Sequence, residues 1–273
     1  MNRKQVVLSL VVLLAVCWPA HAVRLRFKFT KGEVLRYKML TAGASRTEGA
    51  GMPAIPMEFT MDVVLVQKVL DVDAQGTARV AMQMSQGTMK MKMGENEHTM
   101  PFPLEKAVLR ITARGKVTSV SGQPGEKGGM GGAAGLGFDL SDIGGAMQFP
   151  ERDLKVGDSW RGTEKMKAGP LGEIPITYSG KLTGFKNYKG ANCGVVLMSF
   201  EAPLDLSALT KGMASGSGKL AGTLNMYMDL KRGQDVYLTG EMVWLQKMTM
   251  HMGQQSTEVN TTMKMNMKQY LLQ

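Results

Sequence analysis

Length, composition and charge exclude several classes of protein. The chain has 273 residues, with 25 methionines but only two cysteines, and its formal net charge is +10. So few cysteines rule out a disulfide scaffold, and a chain of this length buries a core that needs none. The positive charge favours anionic envelope components as partners. Because lysines and arginines alternate along strands and only 6% of residues are aromatic, we expect no nucleic-acid partner.

Residues 1–22 predict an export signal. Two basic residues precede an apolar run over 6–16, and the sequence AHA at 20–22 forms a small-x-small cleavage pattern. The apolar run is shorter than the about 20 residues that a membrane-spanning helix needs. We therefore expect a secreted or periplasmic protein with no transmembrane span after cleavage. The sequence LAVC partly resembles the lipobox of bacterial lipoproteins, so lipid anchoring at Cys17 is the alternative.

Apolar and polar residues alternate through most of the remaining chain, and this pattern predicts β-strands. The apolar residues fall on odd positions in 24–29 and 259–267 and on even positions in 224–230 and 242–252. Since successive side chains of a strand point to opposite faces, one face of the sheet is dry and the other is wet. The predicted fold is all-β: a large, strongly curved antiparallel sheet or an open barrel.

One strand shows a change of phase. Within 77–93 the apolar residues move from even to odd positions near Gly87. An extra residue at that point would keep the apolar side chains of both parts of the strand on the same face of the sheet. The sequence therefore predicts a β-bulge near Gly87.

Internal similarity divides the chain after the signal into two units. LRITARGKVTSVSG resembles YMDLKRGQDVYLTG, which suggests a duplicated unit. We expect a first β unit at 23–121 and a second at 148–273, both within one continuous domain. A Gly-rich loop is predicted at 122–147 between them. One or two short helical segments are expected, near 139–147 and near 204–214.

Motifs for catalysis or cofactor binding are missing from the sequence. After signal cleavage the chain keeps two histidines, His98 and His251, and one cysteine, Cys193. It contains no HExxH, paired-cysteine or GxSxG pattern. We therefore expect no cofactor, no metal site of the usual ligands and no catalysis, with Cys193 filling core space. Paired carboxylates that meet only in the fold stay open.

Methionine is the most unusual component of the predicted strands. A sheet normally uses branched residues, and methionine packs less rigidly than they do. Three interpretations stay open: filler of the core, the pliable wall of a pocket for a hydrophobic ligand, and a soft thioether site for Cu(I). The candidate residues of the ligand wall are Met226, Met228, Met248, Met250, Met252, Met263, Met265 and Met267.

Two stretches carry a resemblance to known proteins. The opening LRFKFTKGEVLRYKM and the sequence PERDLKVGDSW at 150–160 resemble exported bacterial proteins of a domain-of-unknown-function family. In expected fold the chain is also similar to the half-barrels of envelope lipoprotein and lipid carriers. These resemblances bring no catalytic residues with them.

The function that the sequence favours is that of an exported, non-enzymatic binding or carrier protein for a hydrophobic, lipid-like ligand. The alternatives are a structural envelope protein without a ligand, a methionine-rich Cu(I)-binding protein and an unrecognised hydrolase.

Overall fold

The computed structural model of the protein describes most of the chain after the predicted signal. The described residues are 22–49, 52–101, 106–121, 145–167, 173–206, 214–252 and 255–272.

Twelve strands in these residues form one antiparallel sheet. In chain order they are β1 (Val34–Gly49), β2 (Met52–Val72), β3 (Ala78–Met93), β4 (Asn96–Pro101), β5 (Lys106–Ile111), β6 (Val117–Ser121), β7 (Ser159–Lys167), β8 (Glu173–Tyr188), β9 (Ala191–Asp205), β10 (Ala214–Asp229), β11 (Gln234–Met252) and β12 (Gln255–Leu271). Within the described residues the sheet is curved, and its outermost strands β6 and β7 do not pair with each other. The prediction of an all-β fold built on a curved antiparallel sheet is confirmed.

Alternation explains why these residues form strands and which face they bury. In β12, Met263 and Met265 are buried, whereas Thr262 before them and Lys264 between them are exposed. We call the face that carries the buried residues the inner face and the opposite one the outer face. One cluster of buried side chains on the inner face contains residues from both halves of the sheet, such as Phe59 of β2 and Ile176 of β8.

The strands follow one another around the curve as two meanders. Their order across the sheet is β6-β5-β3-β2-β1-β12-β11-β10-β9-β8-β7, and β4 pairs with the part of β3 that β5 leaves free. The first strand therefore pairs with the last, and β6 and β7 form the two edges.

Residues 145–149, which we call the edge segment, lie between these two edges. Gly145 packs against Val117 of β6, and the indole Nε1 of Trp160 in β7 donates a hydrogen bond to the Gln148 carbonyl oxygen at 2.9 Å. The Gln148 side chain also donates to the Glu164 carboxylate of β7 at 2.7 Å. The edge segment therefore occupies the opening that the curved sheet leaves.

Residues 22–29, the N-terminal segment, cross one end of the sheet. Val23 pairs with Leu154 in an isolated β-bridge. The Phe27 N–H donates to the Ala113 carbonyl oxygen in the β5–β6 turn, and the Lys28 N–H donates to the Gly233 carbonyl oxygen in the β10–β11 turn. Leu25 is 1% exposed. This segment thus ties both meanders together at the end where these turns lie.

The predicted β-bulge is confirmed, two residues from Gly87. Val64 pairs with Gln86 but Leu65 pairs with Met84, so Ser85 is the extra residue of β3. The bulge changes which residues of β3 face inward.

The two helix candidates fare differently. Gly145 and Ala146 have helical conformation, and the rest of the candidate before them, 139–144, lies outside the described residues, as does most of the predicted Gly-rich loop. The prediction for 204–214 is wrong at its ends, because β9 extends through Asp205 and β10 begins at Ala214. Pairing of Asp205 with Ser217 continues the sheet there. Residues 207–213 lie outside the described part.

No helix among the described residues has the length and hydropathy of a membrane span.

A glycine in β8 allows the contact that holds the edge segment. A Cβ at Gly180 would lie 2.2 Å from Cζ2 of Trp160, so Gly180→Ala must displace the indole that hydrogen-bonds Gln148. We expect a loss of about 1–3 kcal/mol in the free energy of unfolding, as for other overpacked cores. Urea titration monitored by tryptophan fluorescence measures it. Gly184→Ala in the same strand is the control, since nothing lies within 4 Å of its Cβ position; equal losses in both variants would contradict the packing explanation.

Candidate functional site

A cavity of about 200 Å³ lies on the inner face under the N-terminal segment. Its wall is mainly apolar and includes Phe27, Met82, Leu109, Phe149, Met226 and Leu238. We call it the inner cavity. It is a mainly apolar concavity against the inner face of the sheet.

Aromatic packing and small residues shape this cavity. The Phe27 ring packs on the Phe149 ring at 5.5 Å between centroids and on the Phe29 ring at 6.2 Å, so the N-terminal segment and the edge segment share one wall. Gly115 also lines the cavity, with a φ of 95°, and a Cβ there would lie 3.0 Å from the Phe27 ring. Glycine is therefore needed at 115 both for the turn and for the approach of Phe27.

One carboxylate faces the inner cavity because of a bulge. Regular alternation would put Asp235 on the outer face with Tyr237. Instead, Tyr227 pairs with Tyr237 while Met228 pairs with Asp235, which makes Val236 an extra residue of β11. The bulge turns Asp235 to the inner face beside the buried Met228.

Two side chains hold Asp235 in place. The Tyr37 hydroxyl donates a hydrogen bond to Oδ1 at 3.3 Å, and Nε2 of Gln269 donates one to Oδ2 at 2.8 Å. Burial raises the pKa of Asp235 to about 6, although these hydrogen bonds act in the opposite direction. Burial and the neighbouring carboxylate also raise the pKa of Tyr37 well above its ordinary value. At neutral pH the arrangement is therefore a phenol and a carboxylate that can accept a further donor from the cavity.

The predicted methionine wall is distributed over the inner face. Met226 lines the inner cavity, and it is the one predicted wall residue with a described side chain that does so. Three others are buried in the main core, Met228 at 1% exposure, Met263 at 4% and Met265 at 3%. The half-buried members pack against that core; they are Met226, Met248 and Met267. Met250 and Met252 belong to β11, and their side chains lie outside the described part of the structure.

Metal-ligating side chains and the cysteine are the other candidate groups. No group of three or more His, Cys, Asp or Glu side chains there is placed to hold a metal ion. Cys193 is buried, which confirms it as core filler, and burial raises the pKa of its thiol. A thiol kept protonated in this way is a poor nucleophile.

The outer face carries a second concave site, which we call the tyrosine–lysine groove. It is an open groove of about 540 Å³ lined by Leu40, Lys186, Tyr188, Lys189, Tyr227, Tyr237, Lys268 and Tyr270. Sequence reasoning missed it, although one signal was present: Tyr227 and Tyr237 alternate out of phase with Met226 and Leu238, which puts them on the outer face.

The tyrosine rings of the groove contact one another. The Tyr188 and Tyr237 rings stack at 5.1 Å between centroids, and the Tyr227 and Tyr237 rings meet edge to face at 5.3 Å. Tyr270 pairs directly with Tyr237 across β11 and β12. The ring cluster is thus fixed by strand register.

Each lysine of the groove lies over a tyrosine ring. The Lys186 Nζ lies 5.6 Å from the Tyr227 centroid, and the Lys268 Nζ lies 5.8 Å from the Tyr237 centroid. The Lys189 Nζ lies between two rings, 5.8 Å from that of Tyr188 and 5.7 Å from that of Tyr270. Such cation–π contacts place the ammonium groups around the ring cluster.

Comparison with known proteins leaves the family of this chain open. No family model matches it. No curated protein matches it. The resemblance to the exported domain-of-unknown-function family therefore stays a prediction.

Several solved structures align with this chain at low similarity. One is lipovitellin, in a structure titled for its lipid–protein interactions, with 10% identity, a TM-score of 0.44, and 90% of this chain aligned to 26% of that one. Another is DynF of the dynemicin biosynthesis pathway of Micromonospora chersina, with 10% identity, a TM-score of 0.23, and 92% and 85% of the two chains aligned. A third is Pseudomonas aeruginosa OccK7, with 5% identity, a TM-score of 0.27, and coverage of 88% and 100%. The chain spans about a quarter of the length of lipovitellin.

The raised pKa of Asp235 makes stability depend on pH. Because the folded pKa of about 6 exceeds the ordinary 3.8, the folded protein holds this proton more tightly than the unfolded chain, and the free energy of unfolding falls as pH rises through that interval. Asp235→Asn removes this loss of stability, because the asparagine side chain does not ionise. We expect the variant to be more stable than the parent above that interval, by roughly 1–3 kcal/mol, and the two to converge below it. Urea unfolding at a series of pH values measures the difference, and a difference independent of pH would contradict the assignment.

Proposed function

We propose that the protein is an exported, non-enzymatic carrier or binding protein for a compact hydrophobic ligand that bears a polar group. The observation that carries the proposal is the inner cavity, an apolar space with one hydrogen-bonded carboxylate in its wall. Binding sites for small molecules are commonly of this kind, mostly apolar with a few polar groups that orient the ligand.

The volume limits the size of the ligand. A dry cavity of about 150 Å³ accommodates benzene, and drug-sized ligands occupy pockets of about 300–1,000 Å³. The inner cavity, at about 200 Å³, lies between these values. It therefore suits a single ring system or a short alkyl chain. A longer acyl chain would have to displace side chains of the core.

The polar wall favours some head groups over others. At neutral pH Asp235 is largely ionised, since its pKa is about 6, so it accepts hydrogen bonds. A hydroxyl or amino group on the ligand can donate to it, whereas a carboxylate would be repelled. The expected ligand is therefore an alcohol or an amine, and not a fatty acid anion.

Methionine supports the proposal through its pliability. Met226 and Met82 line the inner cavity, together with Met147 and Met198. Unbranched thioether side chains change conformation at little cost, so such a wall can adapt to ligands of different shape. In this proposal Met226 contacts the ligand, and the buried Met228, Met263 and Met265 form its deformable support.

The predicted export signal supports a place outside the cytoplasm. A secreted or periplasmic carrier would take up its ligand from, or deliver it to, the cell envelope. The net charge of +10 supports attraction to anionic envelope components. No cofactor and no catalytic step enter the proposal.

Filling the cavity tests this function directly. We expect 1-naphthylamine, a neutral aromatic amine of two fused rings, to shift its fluorescence to shorter wavelength on binding the purified protein, and Met226→Trp to abolish this signal because the indole occupies the cavity. Met267→Trp is the matched control: Met267 is also a half-buried methionine packed on the core, but it does not line the cavity. We expect it to keep the signal.

Two outcomes would contradict the carrier. A full signal in Met226→Trp would place the probe outside the inner cavity. No uptake by the parent protein would favour the structural envelope protein without a ligand. Native mass spectrometry of protein isolated from its own envelope gives an independent test, with a bound organic molecule expected and bound copper as the contrary result.

A further inference from the structure

Several lysines on the strands beside the tyrosine–lysine groove pair with carboxylates. On the neighbouring outer surface, Lys219 lies 2.8 Å from the Glu201 carboxylate. Similarly, Lys247 lies 3.0 Å from the Glu258 carboxylate. Among the residues that the structure describes, none of the three lysines of the groove takes part in an ion pair, and the groove is lined by no acidic residue. Its positive charge is therefore left for an external anion.

The tyrosines give the groove an amphipathic surface. Their rings form a continuous apolar floor, and their hydroxyl groups can donate hydrogen bonds to an anion. Burial and the neighbouring rings raise the pKa of Tyr188, so its hydroxyl keeps its proton. Tyrosine is enriched at the boundary between water and the bilayer, where one end of the side chain is wet and the other is apolar.

The β8–β9 turn holds one lysine in a costly conformation. Lys189 has a φ of 49°, and Gly190 follows with a φ of 83°. A two-residue hairpin turn of this shape usually begins with asparagine, aspartate or glycine, because a left-handed conformation costs other residues about 1 kcal/mol or more. The turn alone would not favour lysine. Its position places the ammonium group between the Tyr188 and Tyr270 rings at the rim of the groove.

The groove and the inner cavity lie at the same end of the sheet. Met226 lines the cavity and Tyr227, the next residue, lines the groove; Leu238 and Tyr237 repeat the relation on β11. Consecutive residues of a strand project to opposite faces, so only the thickness of the sheet separates the two sites.

We propose that the tyrosine–lysine groove binds the phosphate head groups of anionic phospholipids and docks the protein on the surface of an anionic bilayer. The lysine ammonium groups pair with head-group phosphates, and the tyrosine rings lie at the level of the head groups. The proposal does not depend on what the inner cavity binds, because the two sites use different side chains.

Vesicle sedimentation tests the proposal. We expect the protein to sediment with vesicles made of equal parts of phosphatidylglycerol and phosphatidylcholine, more strongly at low salt, and to stay in solution with vesicles of phosphatidylcholine alone. A triple variant, Lys186→Gln, Lys189→Gln and Lys268→Gln, should bind on the order of 100-fold more weakly, because each lysine near an anionic surface contributes roughly fivefold.

A control with the same loss of charge separates the groove from general attraction. Lys165→Gln, Lys219→Gln and Lys247→Gln remove three ammonium groups that pair with carboxylates elsewhere on the sheet. We expect this triple variant to sediment with the anionic vesicles nearly as the parent does. Equal weakening in both triple variants would overturn the proposal.

A tyrosine variant and two competitors complete the test. Tyr188→Ser should weaken vesicle binding several-fold without changing net charge, and unchanged binding would overturn the role of the rings. Glycerol phosphate in solution should not displace the protein from vesicles, since a single phosphate cannot reproduce contact with a surface. Displacement by glycerol phosphate, or by an oligothymidylate that binds with the same lysine dependence, would replace the bilayer with a soluble phosphate or a nucleic acid as the ligand.

Discussion

The rest of this structure depends on the alternation of side chains across a single antiparallel sheet. Paired residues of neighbouring strands lie on the same face of a sheet. The register therefore determines which residues of the next strand face inward and which face outward. The register of β11 and β12 shows the effect: Met242 and Met265 meet on the inner face, and Tyr237 and Tyr270 meet on the outer face. One hydrogen-bonded framework therefore builds the core and the outer groove together.

At a β-bulge the alternation of inner and outer side chains is interrupted, and in β11 this interruption places a carboxylate on the inner face. The bulge at Val236 turns a carboxylate toward an apolar cavity, where burial raises its pKa to about 6. The same strand keeps Tyr237 on the outer face one residue later. A local change of register thus supplies the inner cavity with its polar group while leaving the tyrosine cluster in place.

The sequence predicts the features that depend on periodicity. Alternation identifies the antiparallel sheet and the buried face of Met263 and Met265, and the change of phase near Gly87 identifies the bulge at Ser85. The two-unit division of the chain stays a prediction.

Features that depend on contacts between distant residues could not be predicted. Asp235 falls in phase with outer residues, and only pairing with Met228 turns it inward. The inner cavity needs Phe27 and Phe149, which strand periodicity does not relate to each other. The Tyr188 and Tyr237 rings stack although the two residues are distant in sequence and lie on strands that are not neighbours in the sheet. Alternation within a single strand does not predict such a contact.

The pairing of β1 with β12 also has a consequence for folding. These strands come from opposite ends of the described chain, and their register continues from Tyr37 and Leu271 to Gly49 and Val259. Topologies with such distant pairings have high contact order and fold slowly. The edge of β1 stays unpaired until β12, the last strand in the sequence order, has been added. In the proposed export of an unfolded chain across a membrane, the sheet would stay incomplete until β12 has emerged.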